Sequence, residues 1–343
     1  MKNAIKYTLL FCFVTIPLIA SDLNGDYYFN RGHRWYKYGI KQNYQESIKY
    51  FLLAAGQHPS EIQFFLGKIL LQGDIVKKDY NKAFKAFMLS AQQGHSDAQY
   101  YIGYMYLRGY GVEKDYKQAR EWCLLAAEQN NVLAQYNIGI MYYHGYGVEQ
   151  DYSEALKWFL LAAEQNNALA QYRIGFMYYH GHGVERDYSE ALKWFLLAAG
   201  QNHSNAQFYI GFIYMHGLGV PKDLDFDEAM KWFLLAAEQN NALAQYRIGR
   251  MYLIGYGVEQ DYHEAMKYFL LAANKNDLEA TYNIGDMYYY GYGVPQDYDE
   301  ALRWFKICHE IENGDDQVKS LAGQKIDSIF KIKKELNNLY FEN

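Results

Sequence analysis

Three histidines, His144, His180 and His216, occupy the same position in successive repeats of the sequence and are its first candidates for chemistry. Zinc binds histidine nitrogens at about 2.1 Å from a single ion. If each histidine lies on a helix of its own, packed helices hold them about 10 Å apart or more, which is too far to share that ion. We therefore expect no metal site and no cofactor, and we interpret the histidines as copies of one surface position.

A second candidate is the Ser-x-x-Lys pair formed by Ser328 and Lys331, which matches the nucleophile motif of penicillin-recognising enzymes. The Ser-Asp-Asn and Lys-Thr-Gly motifs that accompany it in those enzymes are absent from the sequence. The paired carboxylates Asp151 and Glu154 are expected to form a capping box, in which Asp151 accepts from the first-turn amides and Glu154 reaches back to the Asp151 amide. No phosphate-binding loop or dinucleotide fingerprint appears. The sequence therefore predicts a protein that is not an enzyme.

The elements that position these residues repeat about every 36 residues. An anchoring glycine marks seven copies, at Gly67, Gly103, Gly139, Gly175, Gly211, Gly249 and Gly285. In the clearest copy, the apolar spacing predicts one helix over residues 133–144 and a second over 152–165, joined by a glycine-rich loop and started by Asp151. Such a unit buries its apolar face only by stacking on its neighbours, so the sequence predicts an all-α repeat array.

The recurring pattern Ala-Gln-Tyr-x-Ile-Gly-x-Met-Tyr, followed by Gly-x-Gly-Val and Asp-Tyr-x-x-Ala-x-x-Trp-Phe, resembles the Sel-1-like repeat (SLR) family over residues 27–311. The resemblance implies α/α repeats related to the tetratricopeptide type, and hence a right-handed α/α solenoid (superhelix) of about eight helix pairs. The first pair is degenerate and keeps only Tyr44 and Ser47 of the pattern. Residues 312–343 depart from it and are expected to form a capping helix and tail.

The amino terminus predicts export. Lys2 and Lys6 precede an apolar run from Leu9 to Ala20, as in a signal peptide over residues 1–20 that is cleaved before Ser21. The run is shorter than the ~18 residues of a spanning helix, so we expect no membrane span after cleavage; an uncleaved anchor is the alternative. The mature chain is then expected in the periplasm or outside the cell, with the repeat solenoid over residues 21–311.

Composition limits the partners. The chain has 343 residues, 50% of them hydrophobic, a net charge of −6 and no basic stripe, so we expect no nucleic-acid partner. Only Cys123 and Cys308 follow the leader, about five repeats apart, which excludes a disulfide in an array. They replace a core phenylalanine and a core alanine of the repeat, and we expect both to be buried.

The copies differ mainly along one arc of the first helix. At ~100° per residue, the four varying positions equivalent to 133, 137, 140 and 144 lie together, apart from the core positions Ala134, Ile138 and Met141. Tyrosine and arginine, which are enriched in binding hot spots, recur there. We call this arc the strip and predict that it binds the partner. Its predicted residues are Tyr101, Tyr104, Arg108, Asn137, Ile140, His144, Arg173, Phe176, His180, Tyr209, Phe212, His216, Arg247 and Arg250.

These patterns predict an exported, monomeric scaffold that binds a protein or peptide partner on the concave face of the array. The resemblance implies an adaptor role, since members of that family commonly serve assembly, signalling or contact between bacteria and host. Two alternatives stay open: a weak penicillin-binding or β-lactamase-type hydrolase that uses Ser328, and a regulator of a cell-wall enzyme. A further alternative concerns the strip itself, which could pack against the neighbouring first helix instead of facing a partner.

Overall fold

The computed structural model describes residues 30–31, 50, 59–73, 77–221, 224–311 and 315–341, with side chains described up to residue 335. Within these ranges the chain forms fifteen helices and no strand. The predicted signal peptide and the degenerate first helix pair lie outside the described residues. None of the helices within the ranges is long and apolar enough to cross a membrane.

The helices fall into two compact units. The unit that ends at Gln165 contains three described pairs: α1 (Pro59–Gln72) with α2 (Tyr80–Ala91), α3 (Ser96–Arg108) with α4 (Tyr116–Glu128), and α5 (Val132–His144) with α6 (Tyr152–Glu164). Each second helix also packs on the first helix of the next pair in this unit. The predicted bounds of α5 and α6 are therefore right to within one residue.

The unit that begins at Asn166 contains four pairs and a closing helix. The pairs are α7 (Ala168–His180) with α8 (Tyr188–Ala199), α9 (Ser204–His216) with α10 (Phe226–Glu238), α11 (Ala242–Ile254) with α12 (Tyr262–Ala273), and α13 (Leu278–Tyr290) with α14 (Tyr298–Glu310). The closing helix, α15 (Asp316–Phe341), packs on α14 and α13. Its buried residues Ala322 and Ile329 cover Phe305 and Cys308, whereas Leu321 and Phe330 stay exposed.

Each pair is held together by a glycine on the first helix that faces a phenylalanine on the second. A Cβ at Gly139 would lie 2.5 Å from Cε1 of Phe159, whose side chain is fully buried. Ala134, Ile138 and Met141 are also buried, as predicted. In the α3/α4 pair the smaller Cys123 replaces the phenylalanine opposite Gly103. Like Cys308 it is a free, buried thiol, as the repeat pattern predicts.

The loop inside each pair depends on two glycines. Gly145 ends α5 in the left-handed conformation, with φ of 73°, and its repeat neighbour Gly147 has φ of 70°. A Cβ on Gly147 would approach the carbonyl oxygen of Tyr116 to 2.7 Å, so the loop packs directly on the preceding pair. Only glycine combines this conformation with so close an approach at no steric cost.

The second helix begins with half of the predicted capping box. Asp151 accepts hydrogen bonds from the backbone amides of Ser153 and Glu154, at 2.9 and 3.0 Å. The expectation that Glu154 reaches back to the Asp151 amide was wrong, because that amide donates to the carbonyl of Tyr142, at 3.0 Å. Glu154 instead forms an ion pair with Lys157 on its own helix.

Between pairs, asparagine makes the turn. Asn166 has φ of 61°, and Asn240 has the same value, in the left-handed region that ends a helix. The following residue, Asn167, caps α7 by accepting from the amide of Ala170 at 2.9 Å. One turn and one cap therefore come from two adjacent asparagines.

A recurring hydrogen bond between two glutamines joins the two helices of a pair, and we call the series of these bonds the ladder. The recurring glutamine of the first helix accepts through its Oε1 from a glutamine that ends the following second helix, as in Gln129 to Gln99 at 2.7 Å. The same bond joins Gln165 to Gln135, Gln201 to Gln171, and Gln239 to Gln207. The acceptor glutamines are buried on the packed side of the first helix, so the bond satisfies an amide oxygen that burial would otherwise leave unpaired.

The ladder is interrupted at Gln245. Lys275 stands where the other copies have the donor glutamine, and among the described residues no group donates to the buried Oε1 of Gln245. We expect Lys275→Gln to supply that donor and to raise the free energy of unfolding by about 1 kcal/mol, the usual value of a satisfied buried acceptor. Urea unfolding of the variant measures the gain. Lys275→Met, which has similar length but no donor, is the control, and an equal gain in both would refute the explanation.

Candidate partner-binding strip

All fourteen predicted strip residues lie on the first helix of a pair, and none of them is buried. The exposed ones are Arg108, His144, His216 and Arg250. The half-buried ones are Tyr101, Tyr104, Asn137, Ile140, Arg173, Phe176, His180, Tyr209, Phe212 and Arg247. The contacts of these side chains show which edge of the strip packs and which edge stays open, and we describe them for each unit separately.

On α3 the strip runs from a packed edge to an open one. Tyr101 stacks on the ring of Phe87, with ring centroids 4.8 Å apart and planes 5° from parallel. Tyr101 therefore covers the core. The guanidinium of Arg108 lies 5.6 Å from the centroid of Tyr104 and is exposed, so these two residues form the open edge.

On α5 the packed edge is different because the facing residue is a cysteine. Asn137 replaces the stacking tyrosine and interacts with the thiol of Cys123. Burial raises the pKa of Cys123 to about 12, so the thiol stays protonated and unreactive at neutral pH. His144, at the open edge, stacks on Tyr146 with centroids 5.2 Å apart.

In the C-terminal unit, α7 and α9 together form an aromatic surface. Tyr209 stacks on Phe195 with centroids 5.1 Å apart, which repeats the contact that Tyr101 makes. Phe176 meets the Tyr209 ring edge to face at 5.7 Å, and His180 lies 4.1 Å from Phe176. Side chains of neighbouring first helices are therefore in direct contact, so this part of the strip is one continuous surface.

The surface becomes cationic where α9 meets α11. The guanidinium of Arg247 lies 5.1 Å from the ring centroid of Phe212, and His216 lies 4.2 Å from the same ring. Arg250 donates to the hydroxyl of Tyr246 at 3.3 Å. Both guanidinium groups therefore contact an aromatic side chain, which restricts their motion before a partner binds. Because they are already restricted, they lose little side-chain entropy on binding.

The two strip histidines of this unit, His180 and His216, have lowered pKa values and contribute little positive charge at neutral pH. Burial lowers the pKa of His180, and His182 and Arg186 lower it further. Burial also lowers the pKa of His216, with Arg247 adding to the effect. Neutral imidazoles offer one donor and one acceptor, so the charge here comes from arginine.

The strip also continues onto α13, where a carboxylate is already neutralised. Asp286 occupies the position equivalent to Ile140, and Lys325 of the closing helix lies 2.8 Å from its Oδ1. Lys325 also donates to the hydroxyl of Tyr290 at 2.8 Å. The closing helix therefore covers this end of the strip.

One edge of the strip packs, but mainly on the preceding second helix and not on the neighbouring first helix that the alternative interpretation named. Tyr101 and Tyr209 pack on the phenylalanine of the preceding second helix, whereas Arg108, His144 and Arg250 face solvent. The sequence did not distinguish the two edges, because all these positions vary between copies. That the strip binds a partner stays a prediction.

The sequence interpretation missed the loop tyrosines that widen the open edge. Tyr146 stacks on Tyr116 at 4.9 Å, Tyr256 on Phe226 at 5.3 Å, and Tyr292 on Tyr262 at 5.3 Å. Each lies between two glycines with positive φ and is well exposed. The turn itself needs the two glycines but does not need an aromatic residue between them. The recurring tyrosine at that position was therefore the sequence feature that could have indicated a surface role.

The other candidates for chemistry lie apart from the strip. Ser328 is exposed on α15, and its hydroxyl donates to the carbonyl of Gln324 at 2.8 Å, a bond within one helix. Across the part of the chain that the structure describes, no three His, Cys, Asp or Glu side chains are grouped so as to hold a metal ion.

Comparison with known proteins gives the same division into repeats. The Sel1 repeat matches residues 25–58, 60–95, 96–131, 132–167, 168–203, 204–241, 242–277 and 278–307.

A crystal structure of a Sel1 repeat protein from Oxalobacter formigenes is 30% identical to this chain, with a TM-score of 0.66. The match covers 89% of this chain and 86% of that one. The crystal structure of c5321, a protective antigen present in uropathogenic Escherichia coli strains displaying an SLR fold, is 26% identical with a TM-score of 0.72, covering 90% and 68%. Curated protein sequences give no match. The predicted all-α repeat fold is confirmed.

Proposed function

The chain belongs to the Sel1 repeat family, and from that premise we propose that it is an exported scaffold whose strip binds a protein or peptide partner. The observation that carries the proposal is the open edge of the strip, where Arg108, His144 and Arg250 face solvent beside aromatic rings. Aromatic and arginine side chains dominate binding hot spots, whereas a merely solvated face would favour lysine and glutamate.

Export is supported by the charged and apolar residues of the leader, Lys2, Lys6 and the run up to Ala20. The E. coli relative is described as a protective antigen, a role that agrees with export. We therefore place the partner in the envelope or outside the cell. Finding the chain only in the cytoplasm of its host would contradict this part of the proposal.

The binding role is tested with Arg108→Ala and His144→Ala. Both side chains are exposed, so we expect each variant to keep the melting temperature of the parent and to lower the affinity for the partner about tenfold or more, as hot-spot residues do. The partner is isolated from envelope and secreted fractions by crosslinking, and its affinity is then measured by calorimetry.

Two variants serve as controls for that measurement. Arg303→Ala removes an exposed arginine from the second helix α14 and should leave partner affinity unchanged. Tyr209→Ala removes the ring stacked on Phe195 and should lower the melting temperature. If Arg108→Ala and His144→Ala lose stability and not affinity, the strip is packing and the proposed function is wrong.

A further inference from the structure

A cavity of about 330 Å³ lies in the C-terminal unit between α9 and α11. Its inner wall is apolar and consists of Met215, Met251 and Phe226, of which Met251 is almost fully buried. Leu224 and Ile254 add further apolar surface from its exposed side. A volume of this size, lined mainly by apolar side chains, suits a single apolar side chain of a ligand.

The cavity lies at the place where the spacing of the repeats changes. Successive anchoring glycines are separated by two more residues between Gly211 and Gly249 than elsewhere, and the insertion falls between Val220 and Phe226. Leu224, which belongs to the lengthened loop, lines the cavity, and so does Phe226, which begins the helix after it. A longer loop costs little stability, so the insertion changes the surface and not the fold.

Cationic groups border this apolar space. Arg247 and Arg250 line it together with His216. Among the described residues neither guanidinium lies within 4.0 Å of a carboxylate oxygen. Asp277 acts on Arg247 electrostatically but does not line the cavity. The protein has a net charge of −6, yet these two guanidinium groups have no paired carboxylate among the described residues. Together with the apolar wall, they are complementary to a ligand that has an anion next to an apolar group.

We propose that this cavity binds the carboxyl-terminal residue of the partner peptide, with an apolar side chain in the cavity and the free α-carboxylate on Arg247 and Arg250. The proposal rests on the proposed function and names the chemistry that part of the strip recognises. In a carboxyl-terminal residue, the α-carboxylate and the apolar side chain are bonded to the same Cα atom. Such a residue therefore brings an anion and an apolar group close together. Helix α11 then holds the carboxylate, and α9 and α11 together line the space for the apolar side chain.

The test uses small probes whose binding does not require the natural partner. The probes are N-acetyl-leucine, N-acetyl-leucinamide, which lacks the carboxylate, and N-acetyl-glutamyl-leucinamide, which carries a carboxylate only on the neighbouring side chain. Binding is followed through the methyl NMR signals of methionine. Met215 and Met251 report on the cavity, and Met177 and Met287, buried elsewhere in the same unit, are internal references.

We expect N-acetyl-leucine to shift the signals of Met215 and Met251 and to bind at least about tenfold more tightly than its amide, as charge-assisted hydrogen bonds imply. Arg250→Gln, at an exposed residue, should reduce acid binding to the level of the amide. Arg173→Gln is the matched control, because Arg173 occupies on α7 the position that Arg247 occupies on α11. This variant should change neither the affinity for the acid nor the affinity for the amide.

Three results would overturn the proposal: equal binding of acid and amide, shifts confined to the reference methionines, or binding of N-acetyl-glutamyl-leucinamide as tight as that of the free acid. The last would assign the site to an internal acidic residue. Failure of the proposed function has a different signature, because the probe would then bind while Arg108→Ala and His144→Ala leave partner affinity unchanged.

Discussion

Gly139→Ala is expected to lower the free energy of unfolding by about 2 kcal/mol, although alanine is intrinsically the better helix former by about 1 kcal/mol. The new Cβ would lie 2.5 and 2.6 Å from two carbon atoms of the Phe159 ring. The ring has no exposed surface, so it cannot turn away without displacing its neighbours. Helix α5 would have to move away from α6, and the contact that defines the pair would loosen.

A glycine elsewhere in the chain gives the matched control. Gly323 lies within α15, and a Cβ there would meet nothing within 4 Å. Gly323→Ala should therefore raise the free energy of unfolding by about 1 kcal/mol, from helix propensity alone. Urea unfolding followed by circular dichroism measures both variants, and hydrogen exchange shows whether the loss in Gly139→Ala is centred on α5 and α6. Changes of the same sign would contradict the packing role of Gly139.

Asp277→Asn is expected to raise the free energy of unfolding by about 2 kcal/mol at neutral pH and to change it little below pH 4. Asp277 caps α13 by accepting from the amide of Ala280 at 2.8 Å, but it is only 9% exposed. Burial raises the pKa of this carboxyl from 3.8 to about 6. Most other copies have asparagine at this position, as at Asn131, Asn167 and Asn241.

The direction of the pH dependence follows from the raised pKa of Asp277. A folded-state pKa above the unfolded value means that the folded protein favours the protonated carboxyl. Its contribution to stability is fully present below pH 3.8 and is lost as the pH rises through 6. Asparagine keeps the oxygen acceptor for the cap but carries no charge, so the loss at neutral pH disappears.

Unfolding free energies of the parent and of Asp277→Asn at pH 4 and pH 7.5 check the prediction for Asp277. Asp151→Asn is the matched control, because Asp151 caps α6 in the same way but is exposed. It should give no gain at pH 7.5. A gain for Asp277→Asn that is equal at both pH values would show that charge burial is not its cause.

The architecture of this protein could be predicted from the sequence because the residues that determine it act locally or recur. The helix pairs follow from the apolar spacing around Gly139, and the cap of α6 from Asp151, which bonds to amides two and three residues away. The turn at Asn166 depends on its own backbone conformation. Interactions of so short a range leave the same mark in every copy.

The site, by contrast, depends on contacts between different helices and loops, whose residues are nine or more positions apart in the sequence. Contrary to the prediction from the sequence, Glu154 does not bind the Asp151 amide, because that amide donates to the carbonyl of Tyr142 across the loop. The packed edge of the strip exists because Tyr209 meets Phe195 from the preceding helix. The cavity beside Arg250 arises where a longer loop brings Leu224 next to α11. A sequence pattern records which residues vary, but only the packing of one pair on the next decides which of them face a neighbour and which face solvent.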